Sequence, residues 1–248
     1  MTEPWNNRID DQRGEDIYPT FIIFCEDDAV EPNYFNAFRS NNKIQISTIP
    51  NCGQHHKQVD FATKHCEKSG LLEVVGGKYN LKLDLGAQVW CVFDRDKNIE
   101  DDLDMQFTNS ISQAESKGFK VAWSNDNFEL WILLHFEDVP VKDDTYQSRK
   151  KYYDRLTEII KLIEPKTDAH EKITQNIRFS YDPGMKRANR FLEITLQHMK
   201  GKTNIAISRA KALEEYHSNP PKPNHEKAPC TLVHHLVQEL ILIVGKEI

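Results

Sequence analysis

Three acidic side chains stand just past two apolar runs: Glu26 after "TFIIFC", and Asp94 and Asp96 after "AQVWCVF". In an extended segment residues i and i+2 share a side, so a D-x-D at a strand end lets two carboxylates bind one cation. Hard oxygen donors of this kind suit Mg²⁺ or Mn²⁺, ions that keep water ligands and also bind phosphate oxygens. Glu26, at a second strand end, can complete the pocket as a further ligand or as general base on a metal-bound water. The competing reading is a solvated turn, where Asp is common; the second strand end weighs against it. Glu26, Asp27, Asp28 and Glu31 place four carboxylates in six positions. Charge at that density calls for solvent or a cation.

Three other groupings carry chemistry-capable residues. In "SNDNFELWILLHF" an apolar helix opens with Glu129 and closes near His135, and both are expected to carry polar groups toward the same strand ends as Asn125. Glu129 also lies three residues after Asp126, the spacing of a capping pair, so a helix cap with a packed Trp131 explains the same residues. "NCGQHHKQVDFATKHC" holds Cys52, His55, His65 and Cys66. Cys52-x₂-His55 has a bite that suits zinc, but the His65–Cys66 pair is adjacent and poorly placed to coordinate jointly. Arg178, Lys186, Arg187 and Arg190, interleaved with Phe179, Tyr181 and Phe191, could neutralise phosphates and stack on bases, or could form a solvated helix face.

The elements that must position these groups follow from periodicity. Apolar runs predict strands at Phe21–Cys25, Lys43–Ile49, Ala87–Phe93 and Phe119–Asn125. Helices are expected at Pro32–Ser40, Lys57–Ser69, after an Asp101 or Asp102 cap through Ala114, and at Phe128–Phe136. Alternation of this kind implies a mostly parallel sheet with helices on both faces, which binds ligands beyond the carboxyl ends of its strands. Beyond about residue 140 helical spacing dominates: Leu156, Ile159, Ile160 and Ile163; Ile205, Ala206, Ala210 and Leu213; and Leu232 to Ile243, after a Pro-rich loop at 218–229. The expected organisation is a lead-in at 1–18, an α/β domain at 19–140 and a helical C-terminal subdomain at 141–248.

The 248 residues carry a net charge of −6, unevenly spread: residues 1–141 carry −11, 142–227 carry +6 and the tail −1. An acidic half joined to a basic half suits a metal site beside a polyanion-binding surface. No apolar run approaches the roughly 18 residues of a membrane span. A polar, acidic start is unlike a signal or transit peptide, and five cysteines without framework spacing suit a cytoplasm.

"FIIFCEDDAVEPNYF", "VWCVFDRDKN" and "SNDNFELWILLHF", with "AISRAKAL" and "TLVHHLVQEL", together resemble the RloB-like family, whose members carry a Toprim-type domain. The resemblance implies a small parallel sheet with a Glu after the first strand and a D-x-D after a later one, binding Mg²⁺ for phosphodiester chemistry. Those positions are Glu26, Asp94 and Asp96 here, with Glu31, Asn125 and Glu129 in supporting motif positions. It further implies a nuclease of bacterial anti-phage defence, acting on RNA (tRNA included) or DNA beside an ATPase partner. The alternatives are a non-catalytic nucleic-acid- or partner-binding subunit and, more remotely, strand breakage of the topoisomerase or primase sort, for which no tyrosine nucleophile stands out. The chain departs from the family pattern at Asp27, where glycine is usual, and in "SNDNFELW", where the family has "SNPCFELW".

Overall fold

The computed structural model describes residues 18–39, 43–82, 87–96 and 103–248. Most of the expected lead-in, Ser40 and the Asp101/Asp102 cap lie outside the described residues. The strands are β1 (Thr20–Phe24), β2 (Gln45–Ile49), β3 (Leu72–Val75), β4 (Lys78–Leu81), β5 (Gln88–Asp94), β6 (Lys120–Asn125) and β7 (Cys230–Thr231). Five of them form one sheet in the order β2-β1-β5-β6-β7, parallel except for β7. β3 and β4 form a separate hairpin turned by Gly76 and Gly77, both at positive φ, a conformation glycine adopts without the penalty a Cβ would bring.

Helices α1 (Val30–Asn36), α2 (His56–Lys68), α3 (Leu103–Ser116) and α4 (Glu129–Leu134) follow strands β1, β2, β5 and β6. The rest of the chain supplies α5 (Arg149–Leu162), α6 (Asp168–Thr174) and the short α7 (Tyr181–Gly184), α8 (Ala188–Arg190) and α9 (Leu196–Met199). It ends with α10 (Thr203–Ser218) and α11 (Val233–Val244).

Strand alternation divides the core into two layers. Phe21 and Ile23 of β1, with Trp90 and Val92 of β5, pack toward α1, α4, α5, α10 and α11. Phe24, Val89, Cys91 and Phe93 face the other way, onto Val59, Ala62 and Cys66 of α2 and Phe107, Ile111 and Ala114 of α3. With apolar contacts on both faces, β5 has to read as a continuous apolar run. All six residues of α4 are buried, so its "ELWILL" needs no polar face.

The parallel α/β sheet expected from the sequence is present. The division at residue 140 marks a change in sequence character and not a break in the core. Leu156, Leu213 and Leu240 share one cluster with Phe21 and Trp90, and β7 is the fifth strand of the sheet.

Candidate active site

β1 and β5 are neighbours in register Phe24↔Cys91, so Glu26 and the Asp94–Asp96 pair leave the sheet at the same carboxyl edge. Glu26 Oε2 accepts the Asp94 N–H at 3.2 Å. Asp94 Oδ1 is buried and has no hydrogen-bond partner among the described residues. Asp96 lies at φ 50°, a left-handed conformation that Asp tolerates better than most residues. Its Oδ2 accepts Gln54 Nε2 at 2.6 Å, and its Oδ1 pairs with Arg149 Nη1 at 2.5 Å. His55, at φ 48°, donates from Nε2 toward the carbonyls of Asp94 and Arg95 at 3.1 and 3.2 Å, since those oxygens can only accept. His55 and Asp96, in two loops that meet at the Asp94 turn, are both non-glycine residues at positive φ, and such strain concentrates at functional sites.

The loop after β1 organises its own charge. Asp27 accepts the N–H groups of Ala29, Val30 and Glu31 at 3.0–3.2 Å, capping α1. α1 therefore begins at Val30, ahead of the expected Pro32. Glu31, 1% exposed, turns back so that Oε2 accepts the N–H groups of Glu26 and Asp27 at 2.8 and 3.4 Å. A glycine at position 27 could not supply this cap; Asp27 supplies three acceptor contacts in its place.

On the β6 side, the loop bearing Asp96 is tied down by N–H bonds from Arg95 and Asp96 to the Asp126 carbonyl at 3.0 and 3.2 Å. Asn125 accepts from Arg95 Nη1 and donates to the carbonyls of Asn224 and His225. Asp126 does not cap α4. Its carboxylate binds Arg149 Nε at 2.9 Å, so one guanidinium spans Asp126 and Asp96. Glu129, 2% exposed, pairs with Lys186 Nζ at 3.1 Å, and Lys186 also donates to the Tyr153 hydroxyl, which Asn127 contacts as well.

Burial dominates the electrostatics. It raises the carboxyl of Glu26 to about 8, with the Asp96 charge adding to the effect. Burial, then the surrounding carboxylates Glu31, Glu26 and Asp96, lifts Asp94 well above the ordinary range; burial followed by Asp27 and Glu26 does the same to Glu31. Glu129 is also raised by burial, Lys186 opposing the shift. For Lys186, burial works against the ammonium but Glu129 and Tyr153 more than restore it. The edge thus gathers more carboxyl groups than its cations can keep ionised. The oxygens of Glu26, Asp94 and Asp96 are not all within 4.8 Å of one another, and Arg149 and Gln54 both engage Asp96.

The sequence profile of the RloB-like protein family matches residues 21–240. The chain belongs to the RloB-like family. No curated protein and no solved structure matches it.

In this RloB-like chain the edge of the sheet brings together Glu26, Glu31, Asp94, Asp96, Asn125 and Glu129. His135 is not among them. It lies just past the far end of α4, in the core beside Tyr34 and Trp131, bonded through Nδ1 to the Trp131 carbonyl, and burial lowers its ring to about 3. Helix direction explains the error, since only the N-terminal end of α4 faces the strand ends.

The four basic candidates also divide. Lys186 joins the acidic edge through Glu129, whereas Arg178, Arg187 and Arg190 line a separate cavity of about 540 Å³ with Lys172 and Phe179. Cys52, His55, His65 and Cys66 do not gather as a ligand set; Cys52 Sγ contacts the Ile49 carbonyl, and His55 serves the Asp94 turn. Sequence reasoning missed Arg149, Gln54 and Tyr153, whose roles depend on contacts 23 to 53 positions away and leave no local pattern.

Proposed function

We propose that the chain is a Mg²⁺- or Mn²⁺-dependent nuclease of the Toprim type that hydrolyses phosphodiester bonds, RNA and tRNA ahead of DNA. We propose further that it acts in the bacterial cytoplasm as an anti-phage effector with an ATPase partner. The observation that carries the reading is a buried, unpartnered Asp94 oxygen beside Glu26 at the carboxyl ends of adjacent parallel strands. Family membership and the resemblance of the three motifs support the defence role.

The donor set fits a hard divalent cation, because carboxylates held neutral by burial and mutual repulsion gain a counter-charge when one binds. Glu26, Asp94 and Asp96 would hold it, with Glu31 fixing the loop that carries Glu26. The ion would supply Lewis-acid activation of the phosphate and acidification of a water. With the ion bound Glu26 would be ionised, and an oxygen of it not engaged by the ion would be in position to take a proton from the attacking water. Lys186 and Arg149, at the margins of the acidic edge, offer positive charge to a phosphodiester entering it, and Glu129 positions Lys186. Arg178, Arg187 and Arg190 extend the phosphate path over the helical region.

A second reading, a binding subunit without catalysis, draws on the Arg149 contact that engages Asp96. Incubating the purified chain with RNA and with DNA, with and without Mg²⁺, separates the two. Mg²⁺-dependent cleavage lost in Asp94→Asn supports the nuclease; nucleic-acid binding without cleavage supports the second reading.

A further inference from the structure

A second group of donor atoms lies outside the acidic edge, where α10 meets the start of α11. Glu214 of α10 presents Oε2 at 3.0 Å from His234 Nε2, and both its oxygens lie 3.1 Å from His235 Nε2. Among the described residues this is the group of three whose donor atoms all lie within 4.8 Å of one another.

Hydrogen bonding fixes what His234 offers. Its Nδ1 is 3.1 Å from the Thr231 carbonyl, which can only accept, so Nδ1 carries the hydrogen. In the neutral ring Nε2 then presents a lone pair straight at a carboxylate oxygen. Two acceptors 3.0 Å apart need a positive centre between them. His234 is wholly buried, which disfavours supplying that charge by protonating the ring. A second imidazole nitrogen converges on the same oxygens, giving one centre three donors. Around a tetrahedral ion with bonds of about 2.0–2.1 Å, neighbouring ligand atoms lie roughly 3.3 Å apart, close to the separations seen here.

We propose that Glu214, His234 and His235 form a metal site for a borderline-soft divalent ion of the zinc class. A His₂Glu set leaves the fourth tetrahedral position open, and His235, nearly half exposed, puts that position within reach of solvent. The Thr231 carbonyl orients His234 from behind, as the outer partners of metal-bound histidines do. Because Thr231 belongs to β7, an ion here links α10 and α11 to the edge of the sheet.

The test uses the full chain carrying Asp94→Asn, so that the acidic edge does not compete. Co²⁺ serves as the spectroscopic probe and Zn²⁺ as competitor, with circular dichroism verifying the fold. The expected result is one Co²⁺ per chain with the intense visible bands of tetrahedral coordination, displaced by Zn²⁺. Glu214→Gln and His235→Gln, each at a partly exposed position, are expected to weaken Zn²⁺ binding more than about 100-fold, beyond the loss typical of an outer-shell partner. Absence of tetrahedral bands, or affinity unchanged in both variants, would overturn the site.

Discussion

Replacing Glu26 with Gln keeps the shape and the oxygen that accepts the Asp94 N–H, but removes the charge. Burial and Asp96 raise this carboxyl from an ordinary 4.5 to about 8 in the folded chain. The folded state therefore holds the proton more tightly than the unfolded state. Its stabilising share is complete below the unfolded pKa and is lost as pH rises through the folded one. For a single such group, the loss between pH 5 and pH 7 is about 2–3 kcal/mol by linkage. Denaturant titrations in the presence of a chelator should show the parent chain losing stability over this range. Glu26→Gln should lose about that much less, and should be the more stable protein at pH 7. Comparing the two slopes cancels packing differences that do not depend on pH. Equal slopes, or a Glu26→Gln chain that gains nothing over its parent as pH rises, would show that Glu26 is an ordinary solvated carboxylate.

Asp94→Asn should abolish nucleic-acid cleavage with no loss of stability, because Asp94 is a buried, repelled acid; gel assays beside thermal melts check both halves. Lys186→Met leaves Glu129 buried without its cation and should cost on the order of 2–3 kcal/mol in denaturant midpoint, below the usual buried-pair loss because Lys186 is partly solvated. Glu129→Gln in the same background should recover most of that. Replacing Arg178 and Arg187 with Gln should weaken binding to all sequences alike and reduce the salt slope by about one unit per lost phosphate contact, while leaving divalent-ion affinity unchanged.

The sheet and its acidic edge were legible because their causes are local. "FIIF" and "VWCVF" are apolar on both faces, as strands between two helical layers must be, and carboxylates directly after them have one place to go. The β3–β4 hairpin was equally local, its Gly76-Gly77 turn set between β-type residues, yet it went unexpected. β7 could not be foreseen: two residues carry no periodicity, and only their pairing with β6 makes them a strand. Asp126 fitted a capping pattern, but a buried carboxylate gains more from the Arg149 guanidinium than from a helix N-terminus that Phe128 can begin. The basic residues read as one patch because spacing in sequence cannot say which way each side chain leaves a chain of short helices. Lys186 turns toward Glu129, and Arg190 donates to the Gly184 carbonyl.

On the reading proposed above, Glu26, Asp94 and Asp96 share one hard divalent cation. Crystals of the chain grown with Mn²⁺, measured for its anomalous scattering, test it directly. The expected result is a peak bound by oxygens of Glu26 and Asp94, with Asp96 turned from Arg149 to join them. A Mn²⁺-soaked crystal with no peak at that edge, and with Asp96 still paired to Arg149, would contradict it.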